Sequence, residues 1–157
     1  MPKRRTKSGA FVQNLAQKLL SKLKPYSRRI QVAGSIRRKE KYPVDIDIVL
    51  IPKNKIKLAE FMSTQGNFIL GGEKKSSWMV KDVKVELYYA TLEEWGATLM
   101  AYSAKKGSNI GLRVVAKKKG FKLNQHGLFK GKKFIAGKTE REIYSALGRP
   151  YKEPEER

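Results

Sequence analysis

The run Val44-Asp45-Ile46-Asp47-Ile48-Val49-Leu50-Ile51 constrains this chain more than any other stretch. β-Branched residues dominate it and Pro52 closes it, so it reads as a strand over residues 44–51. Successive strand side chains face opposite ways, which puts Asp45 and Asp47 on one face and Ile46, Ile48 and Leu50 on the other. The apolar face requires a core on its side. The acidic face sets two carboxylates side by side, an arrangement that a divalent cation stabilises, and oxygen-only ligands suit Mg²⁺ or Mn²⁺ rather than zinc. Taken alone, such a pair is more often a solvated sheet edge. Upstream, however, stands Ser35 in Val32-Ala33-Gly34-Ser35-Ile36-Arg37-Arg38. A glycine lets backbone approach a phosphate closely, and a serine hydroxyl can donate to a phosphate oxygen. Arg37 and Arg38 follow within a turn of an expected helix start, where backbone N–H groups favour anions. Strand, Gly-Ser, short basic helix and Asp-x-Asp on a neighbouring strand together describe a site for a triphosphate and a metal.

Charge narrows the partner. Lysine and arginine number 35 against 14 acidic residues, a formal net charge of +21. Such an excess repels itself in the compact state unless a polyanion offsets it. The basic residues cluster at Lys3-Arg4-Arg5, Arg37-Arg38-Lys39, Lys105-Lys106, Lys117-Lys118-Lys119 and Lys130-Gly131-Lys132-Lys133. Nucleic acid fits charge spread in this way, because each phosphate neutralised releases counterions. A solvated lysine-rich surface is the plainer alternative. No segment approaches the roughly 20 apolar residues of a membrane span and no signal-peptide pattern opens the chain, so no membrane partner is expected. The absence of cysteine excludes disulfides, thiolate zinc sites and cysteine nucleophiles. The single histidine, His126, falls in a turn-like Asn124-Gln125-His126-Gly127 and reads as a surface residue.

At 157 residues the chain can bury one sizeable core or two small lobes. Residues 1–8 read as a basic tail that binds phosphate or serves as a nuclear address. Phe11, Val12, Leu15, Ala16, Leu19, Leu20 and Leu23 recur at helical spacing ahead of Pro25, which predicts an amphipathic helix over residues 9–24. Arg29 to Ala33 reads as a first strand, residues 56–63 as a short helix, and Phe68 to Leu70 leads into the Gly71-Gly72 turn. Val83 to Tyr89 alternates, with Val83, Val85 and Leu87 on one face and Lys84, Glu86 and Tyr88 on the other. If that strand neighbours the Asp-x-Asp strand, Glu86 becomes a third carboxylate; otherwise it is a solvated residue paired with Lys84 or another lysine. Beyond it, Thr91 and Glu94 form a capping box for a helix through Tyr102, and a second helix runs from near Ser108 to Gly120. A hairpin turns at Lys130-Gly131-Lys132, and Thr139 with Glu142 caps a last helix stopped by Gly148 and Pro150. The fold class is α+β.

With these elements in order, the chain resembles the family X DNA polymerases, especially their minimal viral and phage-like members. The resemblance rests on Gly34-Ser35-x-Arg37-Arg38, Asp45-x-Asp47, Val85-Glu86-Leu87, Lys118-Lys119-Gly120-Phe121-Lys122-Leu123-Asn124 and Tyr151-Lys152-Glu153-Pro154. It implies a nucleotidyltransferase palm over residues 9–90, with a small mixed sheet and helices. A C-terminal helical and hairpin subdomain that binds the nascent base pair follows over residues 91–157. Asp45, Asp47 and Glu86 would hold two Mg²⁺ or Mn²⁺ ions; Gly34, Ser35 and Arg38 would hold the incoming deoxynucleoside triphosphate. Tyr102 would lie against the sugar and Asn109 would reach the base edge, although these two can also be a core residue and a helix-start residue. Lys84, Arg113, Lys117, Lys118 and Lys119 are candidate contacts to gapped or primer-template DNA, Arg113 on the template side unless it is a solvated helix face.

The expected activity is template-directed filling of short gaps by a monomer, in the cytoplasm or on the nucleoid, and in the host cell if the protein is viral. Departures from the family pattern are Glu86 where aspartate is usual, Ser103-Ala104 for Thr-Gly, and Lys106 at a position that is often acidic. Nothing before residue 9 supplies the lyase domain of larger members, so no lyase activity is expected. Two other functions stay open: a template-independent nucleotidyltransferase, which needs the same palm but not Asn109 and Arg113, and a non-catalytic nucleic-acid-binding protein with a decayed palm.

Overall fold

The computed structural model describes residues 7–157, so the Pro2-Lys3-Arg4-Arg5 tail lies outside the described residues. The chain divides into two compact units, Met1–Tyr89 and Ala90–Arg157.

The first unit opens with α1 (Gly9–Leu23), started by Ser8, whose hydroxyl accepts the Phe11 N–H at 3.1 Å. Its apolar stripe (Val12, Leu15, Ala16, Leu19, Leu23) is buried. A short 3₁₀ turn at Pro25 passes the chain into β1 (Ser27–Ala33), and four residues of helix, α2 (Gly34–Arg37), follow at once. Then come β2 (Ile46–Pro52), α3 (Lys55–Gln65), β3 (Asn67–Gly71), β4 (Lys75–Val80) and β5 (Val83–Tyr89). The strands form one sheet in the order β1-β2-β5-β4-β3. β2 and β5 are parallel; every other neighbouring pair is antiparallel. One face of this sheet, with Ile46, Ile48, Leu50, Trp78, Val80, Val83, Val85 and Leu87, shares a core with α1 and with Leu58 and Met62 of α3. The other face carries the polar residues of β5.

Two local expectations change here. The strand bearing the aspartates starts at Ile46, so Asp45 lies in the bend before it rather than on the strand itself. The segment after Gly71-Gly72 is a further strand, β4, paired with both β3 and β5. Its Lys75-Ser76-Ser77 start carries no apolar alternation, which is why the sequence does not announce it.

The second unit comprises α4 (Trp95–Ser103), α5 (Lys106–Lys118), β6 (Lys122–Asn124), β7 (Gly127–Lys130), β8 (Lys133–Ala136) and α6 (Glu140–Ala146). The three strands make a small antiparallel sheet whose β7–β8 turn is the expected Lys130–Lys132 hairpin. Ala97, Met100, Ala116, Leu128, Ile143, Tyr144 and Leu147 form its core. Thr139 caps α6 by accepting the Glu142 N–H at 3.1 Å. At α4 only half of the expected capping box forms: Thr91 Oγ1 accepts the Glu94 N–H at 3.3 Å, but the Glu94 carboxylate turns to His126 Nδ1 at 3.1 Å. His126 is thereby tied to the α4 start instead of standing free in its turn. The C-terminal segment is fastened by a buried ion pair, Arg157 Nη1 to Glu140 Oε2 at 2.6 Å, beside the rings of Tyr144 and Tyr151. Among the described residues no helix is long and apolar enough to cross a membrane.

Candidate active site

The parallel pairing of β2 with β5 places Asp47 directly opposite Glu86. Residues opposite one another in register project to the same side of a sheet, so two acids from strands far apart in sequence become neighbours. Antiparallel pairing adds Ala33 of β1 next to Asp47 and Ser77 of β4 next to Glu86. The strand ends at Ala33, and Gly34 turns the chain with φ +60°, a conformation that glycine adopts without strain. A β-carbon there would collide with the Asp47 carboxylate, so the glycine lets the Gly34-Ser35 turn lie directly against that side chain. The four-residue α2 then carries Ser35, and Arg38 ends it, its guanidinium bonded to Glu40 at 3.2 Å.

The electrostatics follow from this crowding. Asp47 is pushed up to about 6, first by burial and then by the negative charge of Glu86 and Asp45; the Tyr88 hydroxyl and Arg38 pull the other way. Burial alone would raise Glu86 as well. Its hydrogen bonds from Lys84 and Tyr88, with the charges of Lys84 and Lys75, more than offset that and hold it below the usual range. Lys84 Nζ lies 2.8 Å from Glu86 Oε1, and the same contact raises the lysine. Tyr88 Oη donates to Glu86 Oε2 at 2.5 Å and stands 3.3 Å from Asp47 Oδ1.

The structure thus brings Asp47 and Glu86 together, with Gly34 against Asp47. Asp45 is exposed in the bend just before β2, close enough for its charge to act on Asp47. Among the described residues no three acidic or histidine side chains converge as a ready-made metal cage. The donors are nonetheless carboxylate oxygens alone, and a half-buried aspartate held against two other negative charges is a place where a hard cation relieves repulsion. The residues fit Mg²⁺ or Mn²⁺.

The second unit holds the remaining candidates. Tyr102 is half-buried near the end of α4, and Asn109 donates from Nδ2 to Ala101 O at 2.8 Å, tying α5 to α4. Arg113, Lys117 and Lys118 are exposed on α5, whereas the Lys106 side chain lies outside the described residues. Lys119 has a structural task that the sequence did not reveal: its ammonium donates to Leu147 O at 2.7 Å, satisfying a carbonyl at the end of α6. Lys84, expected on DNA, is likewise engaged by Glu86. The site residue that sequence reasoning missed is Tyr88. Strand alternation placed it on the face of Glu86, and that was the available signal.

A mixed five-stranded sheet backed by helices, with neighbouring strands presenting carboxylates beside a Gly-Ser turn, defines a nucleotidyltransferase-type polymerase fold. The same fold is found in Leishmania infantum polymerase beta, solved as a ternary P/T complex, with TM-score 0.80 over 98% of this chain and 77% of that one at 18% identity. Residues 98–157 match the family model for the DNA polymerase beta thumb. The repair DNA polymerase X of African swine fever virus (isolate Pig/Kenya/KEN-50/1950) is 32% identical over 148 residues, covering 86% of this chain and 84% of the viral protein. DNA polymerase IV of Saccharomyces cerevisiae is 26% identical, across 92% of this chain but 28% of its own length. The chain belongs to the family X DNA polymerases.

Proposed function

We propose that this DNA-directed DNA polymerase extends primer ends at short gaps in duplex DNA, with Asp45, Asp47 and Glu86 as its catalytic carboxylates. The observation that carries the reading is that Asp47 lies opposite Glu86 in the sheet, with Gly34 against the Asp47 carboxylate. Asp45, Asp47 and Glu86 would hold two divalent ions, which supply Lewis-acid stabilisation of phosphoryl charge and make the primer 3′-hydroxyl easier to deprotonate. The chain's own groups do the rest. Ser35 and Arg38 bind the triphosphate of the incoming deoxynucleotide, and the Arg38 guanidinium offsets the charge that builds on the departing pyrophosphate. The absence of a Cβ at Gly34 allows that turn to sit close to the Asp47 carboxylate, so phosphate and primer end would meet without a side chain between them.

The surface charge grips the DNA backbone, with Arg113, Lys117 and Lys118 as exposed candidates. Tyr102 against the sugar and Asn109 at the base edge are carried by the family resemblance and belong to the same proposal. The protein acts as a monomer on nucleoid or cytoplasmic DNA.

Primer extension on a gapped duplex, supplied with each nucleotide alone, tests the function. Template-matched addition supports it, indiscriminate addition points to a template-independent transferase, and binding without addition to a non-catalytic DNA-binding protein. Asp45→Asn or Asp47→Asn should lower extension by roughly three orders of magnitude while DNA binding survives, because the lost ligand acts mainly in the transition state. Parental rates from either variant would discard the site.

A further inference from the structure

Glu86 is one methylene longer than the aspartate that the family resemblance leads one to expect, and its surroundings pull it in several directions. Lys84 bonds one carboxylate oxygen at 2.8 Å, and Lys75 Nζ stands 4.0 Å from the other. Lys75 belongs to β4, which lies on the side of β5 away from β2 and Asp47. Repulsion by Asp47 acts in the same sense. Against these stands Tyr88. It lies two residues along β5 on the same face, with its side chain packed into the sheet and 9% of its surface exposed. Its hydroxyl donates to Glu86 Oε2 at 2.5 Å and reaches within 3.3 Å of Asp47 Oδ1. One donor therefore spans the two carboxylates, and a packed aromatic ring with two side-chain torsions presents it at small entropic cost.

We propose that Tyr88 is a positioning residue whose hydroxyl holds the Glu86 carboxylate beside Asp47, and so lets the longer side chain serve as a metal ligand. This rests on the reading of Asp47 and Glu86 as ligands. Without the hydroxyl, the flexible glutamate follows Lys75 and the repulsion by Asp47, and the pair opens. A shorter aspartate at the same position has less freedom to leave and less need of a restraint. The roles of Tyr88 and of the extra methylene are therefore coupled.

The test is a double-mutant cycle on the full-length protein, comparing the parent, Tyr88→Phe, Glu86→Asp and the double variant. Mn²⁺ affinity is read from the free-ion electron paramagnetic resonance signal, with primer extension alongside. Removing an outer hydrogen bond to a metal ligand typically weakens the metal by about tenfold or more, and that is the loss expected for Tyr88→Phe in the parent. In the Glu86→Asp background the same change should cost less than about threefold, a non-additivity that general loosening of the sheet would not give. Unchanged Mn²⁺ affinity in Tyr88→Phe overturns the proposal, and so does an equal loss in both backgrounds. Glu86→Ala separates this inference from its basis. If that variant binds Mn²⁺ and extends primers like the parent, Glu86 is no ligand and the reading of the site fails. If it loses both while Tyr88→Phe loses neither, the role of Tyr88 alone is refuted.

Discussion

Asp47→Asn should make the metal-free protein more stable at neutral pH while abolishing its activity. In the unfolded chain this carboxyl titrates at its ordinary value of 3.8, and in the fold at about 6, chiefly through burial and the charge of Glu86. At 1.36 kcal/mol per pKa unit, the gap corresponds to an upper bound of about 3 kcal/mol. Below pH 3.8 the carboxyl is neutral in both states and the fold carries no penalty. As pH rises through about 6 the folded protein must ionise a group that the unfolded chain ionised more readily, and stability is lost. Above that pH the whole penalty applies. An asparagine keeps an acceptor for the Tyr88 hydroxyl and never ionises, so it removes the penalty. At about 2–4 °C per kcal/mol for a chain of this size, the midpoint of unfolding should rise by several degrees at about pH 7.5 in EDTA. The gain should shrink toward zero near about pH 4. Thermal unfolding followed by circular dichroism at several pH values measures both. A variant less stable than the parent at neutral pH, or a gain that does not change with pH, would refute the reasoning.

Three further outcomes follow from the geometry. Gly34→Ala puts a β-carbon onto the Asp47 carboxylate in a backbone with φ +60°; it should cost about 1–3 kcal/mol in chemical denaturation and remove primer extension. Lys119→Ala should destabilise the protein by about 1 kcal/mol through the missing bond to Leu147 O, whereas Lys117→Ala with Lys118→Ala should leave stability alone and flatten the salt dependence of DNA binding, by about 0.9 in log–log slope for each phosphate no longer neutralised. Arg157→Ala strands the buried Glu140 carboxylate and should cost about 3–5 kcal/mol, visible as a lowered denaturation midpoint; a shift below about 1 kcal/mol would show that the pair carries no weight.

Much of this molecule was legible because its elements carry their own punctuation. The α1 stripe ahead of Pro25, the Val83–Tyr89 alternation and the Thr139 cap are local signals, and each element lies where they place it. β4 was not legible, since Lys75, Ser76 and Ser77 open it and its burial comes from neighbours on both sides. Asp45 was misread as a strand residue because composition cannot show where pairing begins. In the site, alternation put Lys84, Glu86 and Tyr88 on one face. Whether Glu86 would meet Asp47 depended on a strand pairing that no local pattern encodes, and whether Lys84 and Tyr88 would bond to it depended on side-chain reach. Lys119 shows the same limit from the other side: a basic run reads as uniform, yet one of its members is fastened to a helix end.

The parallel pairing of β2 with β5 has a consequence for how the protein comes to be active. Asp47 and Glu86 sit on strands separated in sequence by a helix and a hairpin, and parallel neighbours cannot be joined by a tight turn. Bringing Asp47 and Glu86 together closes a loop of all that intervening chain, and its entropy opposes the pairing until the strand contacts repay it. A fragment that stops short of β5 lacks Glu86 and so cannot assemble the acidic centre. A divalent ion that binds only the folded centre would add its binding free energy to the stability of this unit, so the proposed site couples metal binding to folding.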